Sequence, residues 1–155
     1  MSGPESLAVG RLRALPVLVR LIIAVGLGAL ASTAMPPVGI VAAMVPAFAG
    51  LLLLLSVSQT KRGGFTIGWG FAFGFHLFGL SWIGEAFLVD AEKFAWMLPF
   101  AVGGLPAGLA IIAGFAGALF VRTRTRSVGR NIVLFSVLFM ACLLYTSDAA
   151  DDLVG

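Results

Sequence analysis

The sequence predicts an all-α protein, a polytopic transmembrane helix bundle of four full spans plus a partial fifth. Three observations predict it. Hydrophobic residues make up 60% of the 155, against about 45–50% in a soluble domain, and charged residues only 11%, against about 25%. The apolar residues are gathered into long runs of about 19–28 residues. A bilayer core of about 30 Å needs about 20 residues of helix. The basic residues sit in short clusters between those runs, which is how the loops of a membrane protein are built. Ten basic and seven acidic side chains are too few to cover the surface of a soluble chain of this size.

Residues 1–14 form a polar, cytoplasmic head carrying Arg11 and Arg13. The apolar stretch behind the head runs too long for the core of a cleavable signal and is read as a retained span. Spans are expected over about 15–35, 38–57, 65–83, 94–121 and 131–144. Met35-Pro36-Pro37-Val38-Gly39 separates the first two, because proline cannot continue a helix and restrains the residue before it. A polar loop from Ser58 to Gly64 separates the second from the third. An acidic segment from Gly84 to Lys93 precedes the fourth span, which holds Pro99 and Pro106 in its first half. Strands are excluded, since the runs are apolar all round rather than alternating, and backbone groups in lipid must be satisfied within the segment.

Loop charges set the orientation. The head with Arg20, the loop with Lys61 and Arg62, and the loop with Arg122, Arg124, Arg126 and Arg130 hold nine basic residues. The opposite side holds Lys93 alone. The N-terminus is therefore expected in the cytoplasm. The net charge of +3 reflects these loops and gives no reason to invoke nucleic acid.

The fifth run is apolar only over about thirteen residues, Ile132 to Leu144, a rise of about 20 Å. It then turns into Tyr145-Thr146-Ser147-Asp148-Ala149-Ala150-Asp151-Asp152, and the string from Cys142 to Leu153 resembles translated sequencing-adapter read-through. Residues 142–155 are accordingly expected to be a non-native or disordered tail, with a genuine acidic periplasmic tail as the alternative, and Cys142 is set aside as a chemical group. One cysteine allows no intrachain disulfide.

Small residues recur at helical spacing, at Gly64/Gly68, Gly70/Gly74, Gly104/Gly108 and Ala110/Gly114/Ala118. They either admit close helix approach or reflect the general frequency of glycine in membrane helices. His76 falls near the middle of the third span. It reads as a functional ionisable group or as a neutral imidazole bonded to a neighbouring helix. No second histidine and no carboxylate cluster surrounds it, so no metal site is expected. Glu85, Asp90 and Glu92 read as a solvated loop or as paired carboxylates. Trp82 and Trp96, flanking that loop, suit an aromatic belt at the headgroup level. No nucleophile paired with a base and no phosphate-binding glycine loop is present.

The order of features carries more than any one of them. Gly28-Ala29-Leu30-Ala31 leads into Met35-Pro36-Pro37-Val38-Gly39. The stretch Gly68-Trp69-Gly70-Phe71-Ala72-Phe73-Gly74-Phe75-His76-Leu77-Phe78-Gly79-Leu80-Ser81-Trp82-Ile83 follows. Ala86-Phe87-Leu88-Val89-Asp90, Phe94-Ala95-Trp96, Pro99-Phe100-Ala101-Val102 and Gly104-Leu105-Pro106-Ala107 complete the series. Over about residues 20–140 this resembles the N-terminal membrane region of the apolipoprotein N-acyltransferases of alphaproteobacteria.

The resemblance implies an inner-membrane acyltransferase of lipoprotein biosynthesis. Such an enzyme moves an acyl chain from phospholipid to the N-terminal diacylglyceryl-cysteine of apolipoproteins, through a thioester on a cysteine assisted by a glutamate and a lysine. Those three groups belong to a periplasmic nitrilase-like domain, and no catalytic residue is carried over to this chain. Glu85, Lys93 and Cys142 do not stand in the matching motif. The chain would correspond to the first four spans and the start of a fifth, and is expected to be inactive alone. Trp82, Glu85, Phe87, Phe94 and Trp96 would form the outer rim of the lipid-facing site. The partners are membrane phospholipid and lipoprotein substrates, and no cofactor is implied. A small multi-span transporter or channel subunit, or a non-catalytic membrane module, is the alternative. A transporter would need polar groups converging at mid-membrane, where the sequence offers His76 alone.

Overall fold

The computed structural model describes residues 10–36, 38–80, 96 and 99–151, and beyond Cys142 it describes the backbone alone. The described residues are helical, with no strand among them. After a helical turn at 10–14, five helices follow: α1 Val17–Ser32, α2 Met44–Val57, α3 Lys61–Gly79, α4 Leu105–Thr123 and α5 Val128–Asp151. A 3₁₀ turn, Val41–Ala43, leads into α2, and a π-helical turn, Phe100–Gly104, leads into α4.

Local chemistry sets most of these ends. Pro16 precedes α1 with φ −55°, the value a proline imposes. The last turn of α1 is closed by Ser32 and Thr33, whose hydroxyls donate to Ala29 O and Leu30 O at 2.7 Å. The chain then reverses after Pro36. Gly39, at φ +67°, takes the left-handed conformation that the reversal needs. α3 begins at Lys61, four residues before its expected start. Thr60 Oγ1 accepts from Gly63 N–H at 3.0 Å, a side-chain N-cap that carries the helix back through the basic pair. Pro106, in the first turn of α4, lacks an N–H where the helix needs none.

Helix lengths differ from the expected spans. Val102–Thr123 is a continuous 22-residue apolar helix, long enough to cross a bilayer. Val17–Ser32, Val41–Val57 and Val128–Cys142 are apolar but shorter. Proline and serine-threonine ends have trimmed the expected runs 15–35 and 38–57. α5 continues through Asp151, beyond the expected end of its span at 144.

The helices alternate in direction around a central α3. Gly64 and Gly68 of α3 meet Gly117 and Ala113 of α4, so α3 and α4 are antiparallel. Gly70 meets Leu21 of α1 and Gly74 meets Val25, so α1 and α3 run parallel. These two contacts are the most extensive in the bundle. At both, backbone lies on backbone. A Cβ built on Gly64 would fall 2.6 Å from Gly117 O, and one on Gly28 would fall 2.8 Å from Phe75 N. Such contacts let helices associate in lipid by van der Waals packing where no hydrophobic force separates helix from solvent. The pairs Gly64/Gly68 and Gly70/Gly74 thus act as close-approach sites. Gly104 and Gly108 have nothing within 4 Å and do not. On α4 the backbone approach falls to Ala113 and Gly117, while Gly114 faces the Phe65 ring.

A phenylalanine cluster ties in the remaining helices. Phe48 of α2 meets Phe71 of α3 edge-on, with ring centroids 5.1 Å apart. Phe135 and Phe139, one turn apart on α5, bring that helix onto Phe48 and Phe120. Val133, Val137 and Met140 of α5 point outward, as do Leu18 and Ile22 of α1 and Ile111 and Phe115 of α4.

Candidate functional site

Of the five expected rim residues, Trp82, Glu85, Phe87 and Phe94 lie outside the described residues, as do Asp90, Glu92 and Lys93. Trp96 is described and is 68% exposed. The described residues therefore bring two other sets of groups together, one near each end of the bundle.

The first set lines an apolar cavity of about 50 Å³ between α2, α3, α4 and α5. Its wall includes Met44 at the start of α2, Phe71, Phe75 and His76 on α3, and Leu109 on α4. Phe139 and Cys142 close it from α5. His76 stands in the last turn of α3 rather than at mid-helix. Its Nδ1 donates to Ala72 O of its own helix at 2.7 Å. The bond stays within α3 and does not reach a neighbouring helix, because a ring one turn on meets the i−4 carbonyl without leaving the helix surface. The carbonyl can only accept, so Nδ1 carries the proton. Cys142 lines the same cavity. No group of three or more histidine, cysteine or carboxylate side chains able to hold a metal occurs among the described residues. The cavity thus offers an apolar lining and one imidazole, and no carboxylate or lysine stands among its lining residues.

α3 and α4 are locked beside this cavity. Trp69 Nε1 donates to Ala107 O at 3.1 Å, and the indole stacks on Phe73 with ring planes 9° apart. The sequence reading above does not single out this pair. A signal was available: a tryptophan inside an apolar helix carries a donor that must find an acceptor, and the π-helical turn before α4 begins where Pro99 and Pro106 disturb regular pairing.

The second set lies at the opposite end. Arg124, just past α4, donates through Nη1 to Leu55 O at 3.1 Å and to Ser56 O, the last carbonyls of α2. A cation at a helix C-terminus both bonds the orphan carbonyls and complements the helix dipole. Burial first, and the charge of Arg13 second, lower the Arg124 pKa. A guanidinium nonetheless stays charged at neutral pH. The following loop is closed by Asn131, whose Oδ1 accepts from Thr125 N–H and whose Nδ2 donates to Thr125 O, both at 2.8 Å. Arg124 therefore joins the loop after α4 to the end of α2, and α1, running parallel to α3, starts from the same end. The three basic segments identified in the sequence share one end of the bundle.

Comparison with known proteins gives this arrangement its family. The model of the apolipoprotein N-acyltransferase N-terminal domain matches residues 27–149. The chain is similar to the apolipoprotein N-acyltransferase of Rhizobium etli, 45% identical over 109 residues, covering 64% of this chain and 20% of that protein. It is similar to the one of Caulobacter vibrioides, 41% identical over 117 residues, covering 74% of this chain and 22% of that protein. With the protein of Brucella suis it shares 39% identity over 116 residues, covering 69% of this chain and 22% of that one. No solved structure matches. The chain spans about a fifth of the length of these curated relatives. With most of its length matched to that one domain, the chain belongs to the apolipoprotein N-acyltransferase family, in the region of its N-terminal domain.

Proposed function

We propose that this chain is the membrane part of a lipoprotein N-acyltransferase, which holds the lipid substrates while the chemistry takes place in a nitrilase-like domain outside these 155 residues. The reaction is transfer of an acyl chain from a phospholipid to the N-terminal diacylglyceryl-cysteine of an apolipoprotein. The match of residues 27–149 to the family's N-terminal domain carries this reading. The bundle suits the task physically. Its outer faces are apolar, its helices meet through glycine backbones, and its cavity sits at the end away from the arginines. On this reading the arginine-bearing end is cytoplasmic, the helices pass several times through the inner membrane, and the segment holding Trp82, Glu85, Phe87, Phe94 and Trp96 rims the substrate entry on the other side.

The test compares this chain with the complete gene product, each purified in detergent and given phospholipid and a diacylated lipopeptide. Mass spectrometry reads the N-acylated product. The complete protein is expected to form it and this chain alone is not. Product from the chain alone would overturn the division of labour, and none from the complete protein would overturn the reaction.

A further inference from the structure

The cavity between α2, α3, α4 and α5 begins where the glycine contact of α3 with α4 ends. Gly64 lies against Gly117 and Gly68 against Ala113, backbone on backbone. One turn further along both helices the same register pairs Ala72 with Leu109, and both residues line the cavity. Beyond them Gly108 and Gly104 of α4 meet nothing within 4 Å. Toward the arginine-bearing end, phenylalanine rings close the space. Phe48 meets Phe71 at 5.1 Å and Phe139 at 6.4 Å between ring centroids, and Phe135 packs behind them, 4.6 Å from Phe139. Toward the other end the wall is Met44, at the start of α2, and His76, in the last turn of α3.

The cavity holds about 50 Å³ and its walls are apolar. A buried water needs two to four polar partners. Here Nδ1 of His76 is already given to Ala72 O, and no carboxylate, lysine or arginine lines the space. Hydrocarbon suits it better. An apolar cavity of about 150 Å³ takes a six-carbon ring, so this one takes roughly two carbons. Its depth fits the same guest. Ala72 stands seven residues before the end of α3 at Gly79, roughly 10 Å of helix. On the membrane reading that is below the headgroups and short of the bilayer midplane, where acyl chains lie.

We propose that this cavity receives the terminal carbons of the donor phospholipid's acyl chain, and that its ring-closed inner end sets the length of chain that is transferred. It rests on the reading of the chain as the membrane part of a lipoprotein N-acyltransferase, and adds to it which donor chains the bundle accepts. A chain that ends short leaves the cavity empty. A chain that overruns it meets the rings of Phe48, Phe71 and Phe139.

The test uses the complete gene product in detergent, supplied with phosphatidylglycerols graded in acyl-chain length and a diacylated lipopeptide. Mass spectrometry reads which chain reaches the product. Ala72→Val adds two carbons to the cavity wall and is expected to move the preferred chain about two carbons shorter. Leu109→Ala removes three and is expected to move it about two carbons longer. Val137→Ala, on the outward side of α5, is the control and is expected to leave the profile unchanged. Opposite shifts from two facing residues are a result that general loosening of the bundle does not produce. An unchanged profile in both variants, or the same shift in both, overturns the proposal and leaves the acyl-transfer reading standing. No product from the unsubstituted protein overturns that reading and the proposal with it. Circular dichroism checks that each variant is folded, and an unchanged profile in either folded variant suffices to overturn the proposal.

Discussion

Gly64 of α3 and Gly117 of α4 lie backbone to backbone, each occupying the space that a Cβ on the other would need. On the membrane reading proposed above, lipid is as apolar as the helices, and this proximity, rather than expulsion from water, holds the pair together. Gly64→Ala or Gly68→Ala is expected to force α3 and α4 apart and to cost about 1–3 kcal/mol. Gly108→Ala, with nothing within 4 Å of the new methyl, is expected to be neutral or mildly stabilising. Unfolding in mixed micelles, followed by circular dichroism, distinguishes the two. Equal effects at 64 and 108 would mean that the α3–α4 contact is not made through glycine.

Removing the indole donor tests the second lock between the same helices. Trp69→Phe keeps a ring beside Phe73 and loses the bond to Ala107 O. A loss of about 1 kcal/mol is expected, with faster hydrogen exchange around the start of α4. An unchanged exchange pattern would show that Trp69 packs there without bonding.

Phe135 and Phe139 hold α5 against the rest. Phe135→Ala is expected to cost about 1–2 kcal/mol, below the 3–5 typical of a water-soluble core, because a loosened helix still lies in lipid. Val137→Ala, on the outward side of the same helix, is expected to change little. Hydrogen exchange over residues 131–142 should rise in the first variant and not in the second.

Arg124 is expected to act through its fixed charge. Arg124→Ala leaves Ser56 O without its side-chain donor and Leu55 O with the Ser58 N–H alone, and should loosen the last turn of α2 by about 1 kcal/mol. Arg124→Lys should restore part of it, since an ammonium supplies charge without the fork. Burial and Arg13 lower the Arg124 pKa, so folding slightly disfavours its charged form, and stability would change only on approaching strongly alkaline pH. Unfolding midpoints at neutral and mildly alkaline pH should therefore coincide. A midpoint moving between them would point to a different titrating group.

Orientation can be read by labelling. In a Cys142→Ser background, Arg126→Cys should react with a membrane-impermeant maleimide only after cell lysis, and Val38→Cys should react in intact spheroplasts. The reverse pattern would place the arginines outside.

Amino-acid order disclosed the helical class through composition and run length, the family through the order of motifs over about residues 20–140, and the glycine pairs on α3 as one of two readings of their spacing. It did not disclose where helices end. The pair Lys61-Arg62 looks like loop on polarity alone, yet Thr60 caps it into α3. Gly104/Gly108 has the spacing of a packing motif and no partner, because spacing says which face a residue shares and not what lies opposite. The cavity wall is half visible in the sequence: Phe71 and Phe75 sit one turn apart on α3, but only the fold brings Phe139 from α5 to the same space. The proposed acidic-aromatic rim depends on residues 82–94, which lie outside the described residues.

Because α1 rests mainly on α3, which it runs alongside in the same direction, the chain must be synthesised as far as Gly79 before α1 has its full partner. On the multi-pass reading proposed above, the α1–α2 hairpin until then waits with its Gly28 surface uncovered. Assembly of this region is in that sense paced by its third helix. A defect that delays insertion of α3 would strand two correctly inserted helices with nothing to close on.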